Sequence, residues 1–396
     1  MPRLLSIGCA LGLMAPLLCS GGAVGLLSLT SDGSNGSFDT YLATHNYDGT
    51  NFFLNTDNGS MIAGHYNSSY GTIFGYSLDG ITPTTVVTTN GTVNVFNFSS
   101  FNLPQGYGLT LYGNSAAAIL ANGSMSIAGD LEVWSNAGAA GSGGPSGFSV
   151  QTGATGGGGS GGAGAGGFGA GYRGVNDYGT AGSGGGGGMV TAGGDGTSGN
   201  SGGGGAGGAA VDLSILQGGG GGGGGGGCGA YCNDAGRNGG QGGGAVFFGA
   251  TTDFTITSTG IIAADGWGGS SDVYTASGAG GGGAGGALWF RAAGTWANYG
   301  TVSAQGAAGG YIGGTYPSQA GNGAGGYVSI DPTSIINDGT INVSNGLGGT
   351  GGLVVFDGPL SGTGSVQGNI SPEPGTVLLA LGGVAGILLA RARRSS

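Results

Sequence analysis

The chain has 396 residues, 108 of them glycine, with 18 acidic residues against seven arginines and no lysine, for a net charge of −11. So little positive charge excludes nucleic-acid binding, because phosphates would have almost nothing to neutralise them. Charged residues make up only 6% of the chain, too few for the solvated faces of a helical protein or for the charge density of a disordered acidic one.

Residues 1–23 carry the three parts of a secretory leader. Arg3 is the positive start, Leu4 to Leu18 the apolar stretch, and Ser20 to Ala23 the small residues of a cleavage site. Residues 24–100 predict a less repetitive β segment. Its turns fall at Asp32-Gly33, Asp48-Gly49, Asn58-Gly59 and Asp79-Gly80, and it is expected to cap the open end of a repetitive body. Residues 101–136 predict the first strands of that body: Gly106–Leu111, Ala117–Leu120, Ser124–Ala128 and Leu131–Trp134.

Residues 137–242 are mostly Gly, Ser and Ala, with ten consecutive glycines at Gly218–Gly227. Glycine loses the most conformational freedom on ordering, so a flexible loop is expected; a bundle of polyproline-II strands is the alternative. Val211–Leu216 is the one strand-like island. Cys228 and Cys232 are the cysteines outside the leader. So close a pair in an exported chain reads first as a local disulfide. Free thiols and a metal site are the other readings, the metal opposed by the lack of further ligands nearby.

Residues 243–370 repeat. Two glycines precede a short apolar strand at Ala245–Phe248, Ala287–Phe290, Tyr327–Ile330 and Leu353–Phe356. A second phrase follows each, at Thr259–Gly266, Tyr299–Gly306, Asp338–Gly346 and Thr363–Gly368, with period-two alternation. A strand of this kind cannot bury its apolar face alone, whereas stacked copies can. The expected fold is all-β: a right-handed parallel β-helix or solenoid-like body with glycine-rich loop insertions, an N-terminal signal helix and a C-terminal transmembrane helix.

No catalytic residue, metal site or cofactor is assigned. A phosphate loop needs a Lys that the chain lacks. Asp265 and Asp338 sit where the repeats turn, and turns favour Asp; a catalytic role is the second reading. Trp267, Trp289 and Trp296 are candidates for stacking on sugar rings, with Trp289 expected inside a coil because it lies in the apolar phrase.

At the C-terminus, Ser371-Pro372-Glu373-Pro374 leads into an uncharged run from Val377 to Ala390, and then Arg391, Arg393 and Arg394. As a helix the run spans about 21 Å, short of the roughly 30 Å of a bilayer core, which suits a temporary stop. The arginines place its end on the cytoplasmic side. This order over residues 371–396 resembles the PEP-CTERM sorting signal of Gram-negative bacteria, with Ser371 where Val is usual. The resemblance implies an exosortase-like membrane protease as partner, with Pro372, Glu373 and Pro374 as its recognition residues. It further implies export across the inner membrane, transient membrane anchoring, and release to the cell surface or to an extracellular matrix with its polysaccharide. The function expected is thus a structural or adhesive surface protein; the alternative is a β-helical carbohydrate-active enzyme, a polysaccharide lyase or hydrolase.

Overall fold

The structure is a computed structural model that describes residues 31–45, 50–67, 72–88, 91–134, 182–198, 205–226, 236–271, 278–313, 318–347 and 351–371. The leader, the cysteine pair Cys228 and Cys232, the motif Pro372-Glu373-Pro374, and Arg391, Arg393 and Arg394 lie outside the described residues. Among the described residues no helix is long and apolar enough to cross a membrane.

The protein is all-β. Its one helix among the described residues is α1 (Phe38–Thr44). The first strands are β1 (Asn51–Asn55), β2 (Met61–Asn67), β3 (Thr72–Leu78) and β4 (Thr84–Thr88), which pair antiparallel as β1-β2-β3 and as β4 with β5 (Gly91–Phe98). From β5 onward the main ladders are parallel and the chain is laid down in layers. One layer is β5, β6 (Phe101–Leu103) and β7 (Gly108–Tyr112); the next is β8 (Ala116–Ala121), β9 (Met125–Ile127) and β10 (Asp130–Val133). Then come β11 (Ala245–Ala250), β12 (Phe254–Ile256) and β13 (Ile261–Ala263), followed by β14 (Ala287–Asn298) with β15 (Thr301–Ser303). A small antiparallel pair, β16 (Tyr311–Ile312) and β17 (Ser318–Gln319), interrupts before β18 (Tyr327–Asn337) and β19 (Thr340–Asn342). The last are β20 (Leu353–Phe356), β21 (Leu360–Ser361), β22 (Ser365–Gln367) and β23 (Asn369–Ser371).

These strands form two large sheets. One is nine-stranded, ordered β22-β19-β15-β13-β10-β7-β1-β2-β3; the other is twelve-stranded, running β23-β20-β18-β14-β11-β8-β5-β4 with β6, β9, β12 and β21 beside it. Three in-register columns fill the space they enclose. Leu109, Leu131, Ile262, Val302, Ile341 and Val366 form one. Phe96, Ile119, Phe248, Phe290, Ile330 and Phe356 form the second. Phe101, Met125, Phe254, Trp296 and Ile335 form the third, while Leu360, next in register, is exposed. The alternation of the second phrase is thereby explained: its middle residue faces the core in every layer. Phe248 and Phe290 stack with ring centroids 5.4 Å apart. At the N-terminal end, Phe38 of α1 stacks on Phe101 at 4.5 Å and meets Phe98 edge-on at 5.4 Å, so the helix closes the end of the core.

The glycine runs depart from the expected loop. In the described parts, 182–188, 218–226, 236–243 and 278–286 are extended, largely buried and bonded to one another side by side. The amides of Gly219, Gly222 and Gly225 donate to the carbonyls of Gly243, Gly240 and Arg237, while those of Gly220, Gly223 and Gly226 donate to Gly188, Gly185 and Gly182. The three-residue period is that of a polyproline-II helix, which has no internal hydrogen bonds and leaves every amide and carbonyl for its neighbours.

The run 278–286 is surrounded on all sides. Gly278, Gly281 and Ala284 donate to 226, 223 and 220; Gly280, Gly283 and Gly286 donate to 270, 267 and 264; Gly282 and Gly285 donate to 321 and 324. Its carbonyls accept from 237, 240 and 243, from 184 and 187, and from 307 and 310. That makes six neighbouring runs around one. A Cβ built on Gly280, Gly281, Gly282 or Gly283 would overlap the backbone of a neighbouring run, at Asn238, Gly185, Ala307 and Gln241 respectively. At these four positions the neighbouring runs leave no direction for a side chain, whereas Ala279 and Ala284 of the same run turn theirs into hydrophobic contacts. Each ordered residue loses on the order of 1–2 kcal/mol of backbone entropy, and close-packed pairing of buried peptide groups offsets it.

Hydrophobic contacts seat this array on the outer face of the twelve-stranded sheet. Phe247, Trp289 and Tyr327 from the sheet meet Met189, Ala284 and Ala324 from the runs, with Val211, Leu213 and Leu216 packed at the edge. The strand-like island at 211–216 is accordingly no strand. Asp212 accepts from the Ser214 amide at 2.9 Å and turns the segment, while its apolar side chains cover the sheet.

Candidate functional site

The two aspartates singled out by sequence serve as clamps between layers. Asp265 Oδ1 accepts from the Gln305 amide at 2.6 Å and from Ser303 Oγ at 2.6 Å, both one layer on. Asp338 Oδ1 accepts from the Thr363 amide at 2.8 Å and from its hydroxyl at 3.1 Å. Asp253 does the same for the Thr295 amide at 2.7 Å, and Asp57 for the Asn114 amide at 2.8 Å. Asp265 and Asp338 stand at opposite ends of the nine-stranded sheet's strands, one after β13 and the other before β19. Burial raises the Asp265 carboxyl above its ordinary value, against the two hydrogen bonds that favour its charged form. Arg291 pairs with Asp331 at 3.2 Å across the β14–β18 register. Burial raises Asp331, Arg291 opposes this, and Asp357 adds to it. Among the described residues no group of three or more His, Cys, Asp or Glu is placed to share a metal ion.

The tryptophans divide into two classes. Trp296 lies wholly inside the core. Trp289 is buried as well, but not between the sheets: it points from the outer face of its strand into the contact with the glycine array, with Tyr327 edge-on at 6.2 Å. Neither is open to a ligand. Trp267 is 39% exposed, and it is not alone.

Tyr66, Trp134 and Trp267 meet on the outer side of the nine-stranded sheet. Ring centroids are 4.6 Å apart for Tyr66–Trp134, 6.1 Å for Trp134–Trp267 and 6.5 Å for Tyr66–Trp267. The interplanar angles are 69°, 81° and 77°, so the three rings stand nearly perpendicular to one another. Edge-to-face contact is what the ring quadrupoles favour. Phe53, buried beneath, meets Trp134 at 5.7 Å. The indole N–H of Trp134 donates to Glu132 Oε2 at 2.8 Å, which fixes its ring.

Three distant stretches build this corner. Tyr66 comes from the β1-β2-β3 hairpin, Trp134 directly follows β10, and Trp267 lies in the run leaving β13, where its amide donates to the Gln241 carbonyl at 2.7 Å. Glu132 pairs with Ala263 and Ala263 with Ser303, so the outward residues continue as a row along the stack. Beside the aromatic corner this row becomes polar. Gln305 Nε2 donates to Ser303 Oγ at 3.0 Å, and Ser344 Oγ to Gln305 Oε1 at 3.4 Å.

The sequence offered Trp267, Trp289 and Trp296 alike for sugar stacking; of the three the structure leaves Trp267 exposed, and its two partners were not foreseen. Their signal was positional: Trp134 and Trp267 each follow an equivalent strand of the repeat. Tyr66 carried none, since an antiparallel hairpin outside the repeat delivers it.

No protein-family description, curated protein or solved structure matches this chain.

Proposed function

We propose that the protein is an exported structural or adhesive component of a bacterial cell surface or extracellular matrix. In this reading the layered strands are coils of a parallel β-solenoid, with the glycine array as an ordered buttress along one side. The observation that carries the reading is the order at the C-terminus: Ser371-Pro372-Glu373-Pro374, an uncharged run, then Arg391, Arg393 and Arg394. It resembles a PEP-CTERM sorting signal, for which an exosortase-like protease would be the partner and Pro372, Glu373 and Pro374 the recognised residues. The leader-like residues 1–23 agree with it from the other end. A body built of repeated layers and small uncharged residues suits an extracellular scaffold, and association with exopolysaccharide follows from the same resemblance.

The carbohydrate-cleaving alternative draws less support. Glycoside hydrolysis uses two carboxyls flanking one bond, whereas Asp265 and Asp338 hold opposite strand ends and are each engaged with the next layer.

The test is a fusion of residues 371–396 to a secreted reporter, expressed in a bacterium with an exosortase-like protease and in one without it. Processing that needs both the protease and intact Pro372-Glu373-Pro374 is expected. A reporter that stays full-length and membrane-embedded in both would overturn the sorting reading.

A further inference from the structure

The aromatic corner has no structural task that requires its exposure. Phe53 already fills the layer beneath it, and a polar residue at 267 would serve the run equally well, since Trp267 bonds to the neighbouring runs through its backbone amide and carbonyl. We infer that Tyr66, Trp134 and Trp267, with Glu132, Asp265 and Gln305 beside them, form a binding strip for a neutral polysaccharide.

The chemistry of the strip selects that ligand. Three mutually perpendicular rings offer an apolar step that a flat aliphatic or aromatic group would meet on one face only. A pyranose ring has an apolar face of C–H bonds and an equatorial rim of hydroxyls, and it fits a site with ring faces on one side and polar groups at the edge. The neighbouring polar groups are two carboxylates and one carboxamide. Carboxylates are acceptors only, so they match a ligand rich in O–H donors.

Charge narrows the class further. None of the six residues is cationic, and the chain carries −11 overall. An acidic polysaccharide would meet repulsion at Glu132 and Asp265. Extension narrows it again. Trp134 and Trp267 follow β10 and β13, paired strands of adjacent layers that lie about 4.8 Å apart. A linear polymer can cross both layers, and a single small sugar would meet only one.

This inference deepens the matrix reading by naming its partner, and it is tested separately. Full-length protein is run in native affinity gels containing dextran, hydroxyethyl cellulose or alginate, with intrinsic tryptophan fluorescence followed in titrations with the same polymers. Retardation by a neutral glucan and a change in tryptophan emission are expected, with little effect from alginate. Trp267→Ala and Tyr66→Ala should each weaken binding at least about tenfold, as loss of a central aromatic anchor does, and Trp267→Phe should retain part of it. Tyr311→Ala, an exposed aromatic on another run, is the control and should change nothing. Trp267 is exposed, so its replacement should fold; an unchanged thermal transition checks this. No retardation by either neutral glucan, equal retardation by alginate, or unchanged binding in Trp267→Ala would overturn the assignment. Such a failure would leave tail processing untouched, because the reporter fusion contains none of these residues.

Discussion

Asn298 and Asn337 occupy the same place in adjacent layers, both buried, and the side-chain amide of Asn298 donates to the Asn337 carboxamide oxygen at 2.8 Å. Asn298 Oδ1 also accepts from the Gly300 amide at 3.1 Å. The pair therefore ties one corner of the layer to its own turn and to the corner beyond. Replacing Asn298 by Ala leaves a buried carbonyl and a buried amide without partners. A loss of about 2–4 kcal/mol is expected, read as a lower midpoint in denaturant unfolding. Asn337→Ala should cost a similar amount, and the double variant less than the sum.

The glycine array makes a prediction opposite in sign to the usual effect of removing glycine. Gly→Ala at a compatible site stabilises by about 0.4–1 kcal/mol through the unfolded chain. At Gly281 the new methyl would collide with the Gly185 carbonyl. Gly281→Ala is therefore expected to destabilise by about 1–3 kcal/mol. Gly268, whose Cβ would meet only the Ala308 oxygen at 3.6 Å, should tolerate Ala or gain from it. Differential scanning calorimetry of the two variants gives the comparison.

Asp265 sets a pH dependence. Burial raises its carboxyl above the ordinary carboxylate range, so the folded state holds the proton more tightly than the unfolded chain. This contribution favours folding at low pH and is lost as the pH rises from the ordinary Asp range through the raised value of the folded state. Asp265→Asn keeps an oxygen to accept from Ser303 and Gln305 but carries no charge. Its melting temperature should rise relative to the parent between acidic and neutral pH. A parallel pair of curves would show that the carboxyl is not perturbed.

The clamp role of Asp253 is open to the same treatment. Removing its carboxylate frees the Thr295 amide at the corner of β14, where the register of β14 against β18 shifts between Ala292 and Thr295. Asp253→Ala should cost about 1–2 kcal/mol, and Asp253→Asn less than half of that, measured by chemical denaturation.

Much of the layered fold was legible because the repeats print the register directly. Ala245, Ala287, Tyr327 and Leu353 start equivalent phrases and pair in the structure, as do Ile261, Thr301, Thr340 and Ser365. The third column was less visible. Trp296 and Ile335 belong to it because β14 and β18 continue past the apolar phrase, and the mixed residues there carry no period. The glycine runs were the main reversal. Counting entropy residue by residue points to a loop. Order arises from neighbours contributed by several distant runs, which no local window contains. The corner of Tyr66, Trp134 and Trp267 was hidden for the same reason, since its members lie up to 201 residues apart. Trp289 shows the complementary error: apolar in phrase and buried in fact, it faces outward into the glycine array.

The central claim is that this chain is built to be delivered outside the cell and trimmed at its C-terminal signal. Intact-mass analysis of the protein recovered from the producing bacterium, fraction by fraction, tests it most directly. The account predicts an extracellular or surface form that has lost residues 1 to about 23 and whose C-terminus falls at or near Pro372-Glu373-Pro374, without Arg391, Arg393 and Arg394. A soluble cytoplasmic form carrying all 396 residues as the sole product would contradict it.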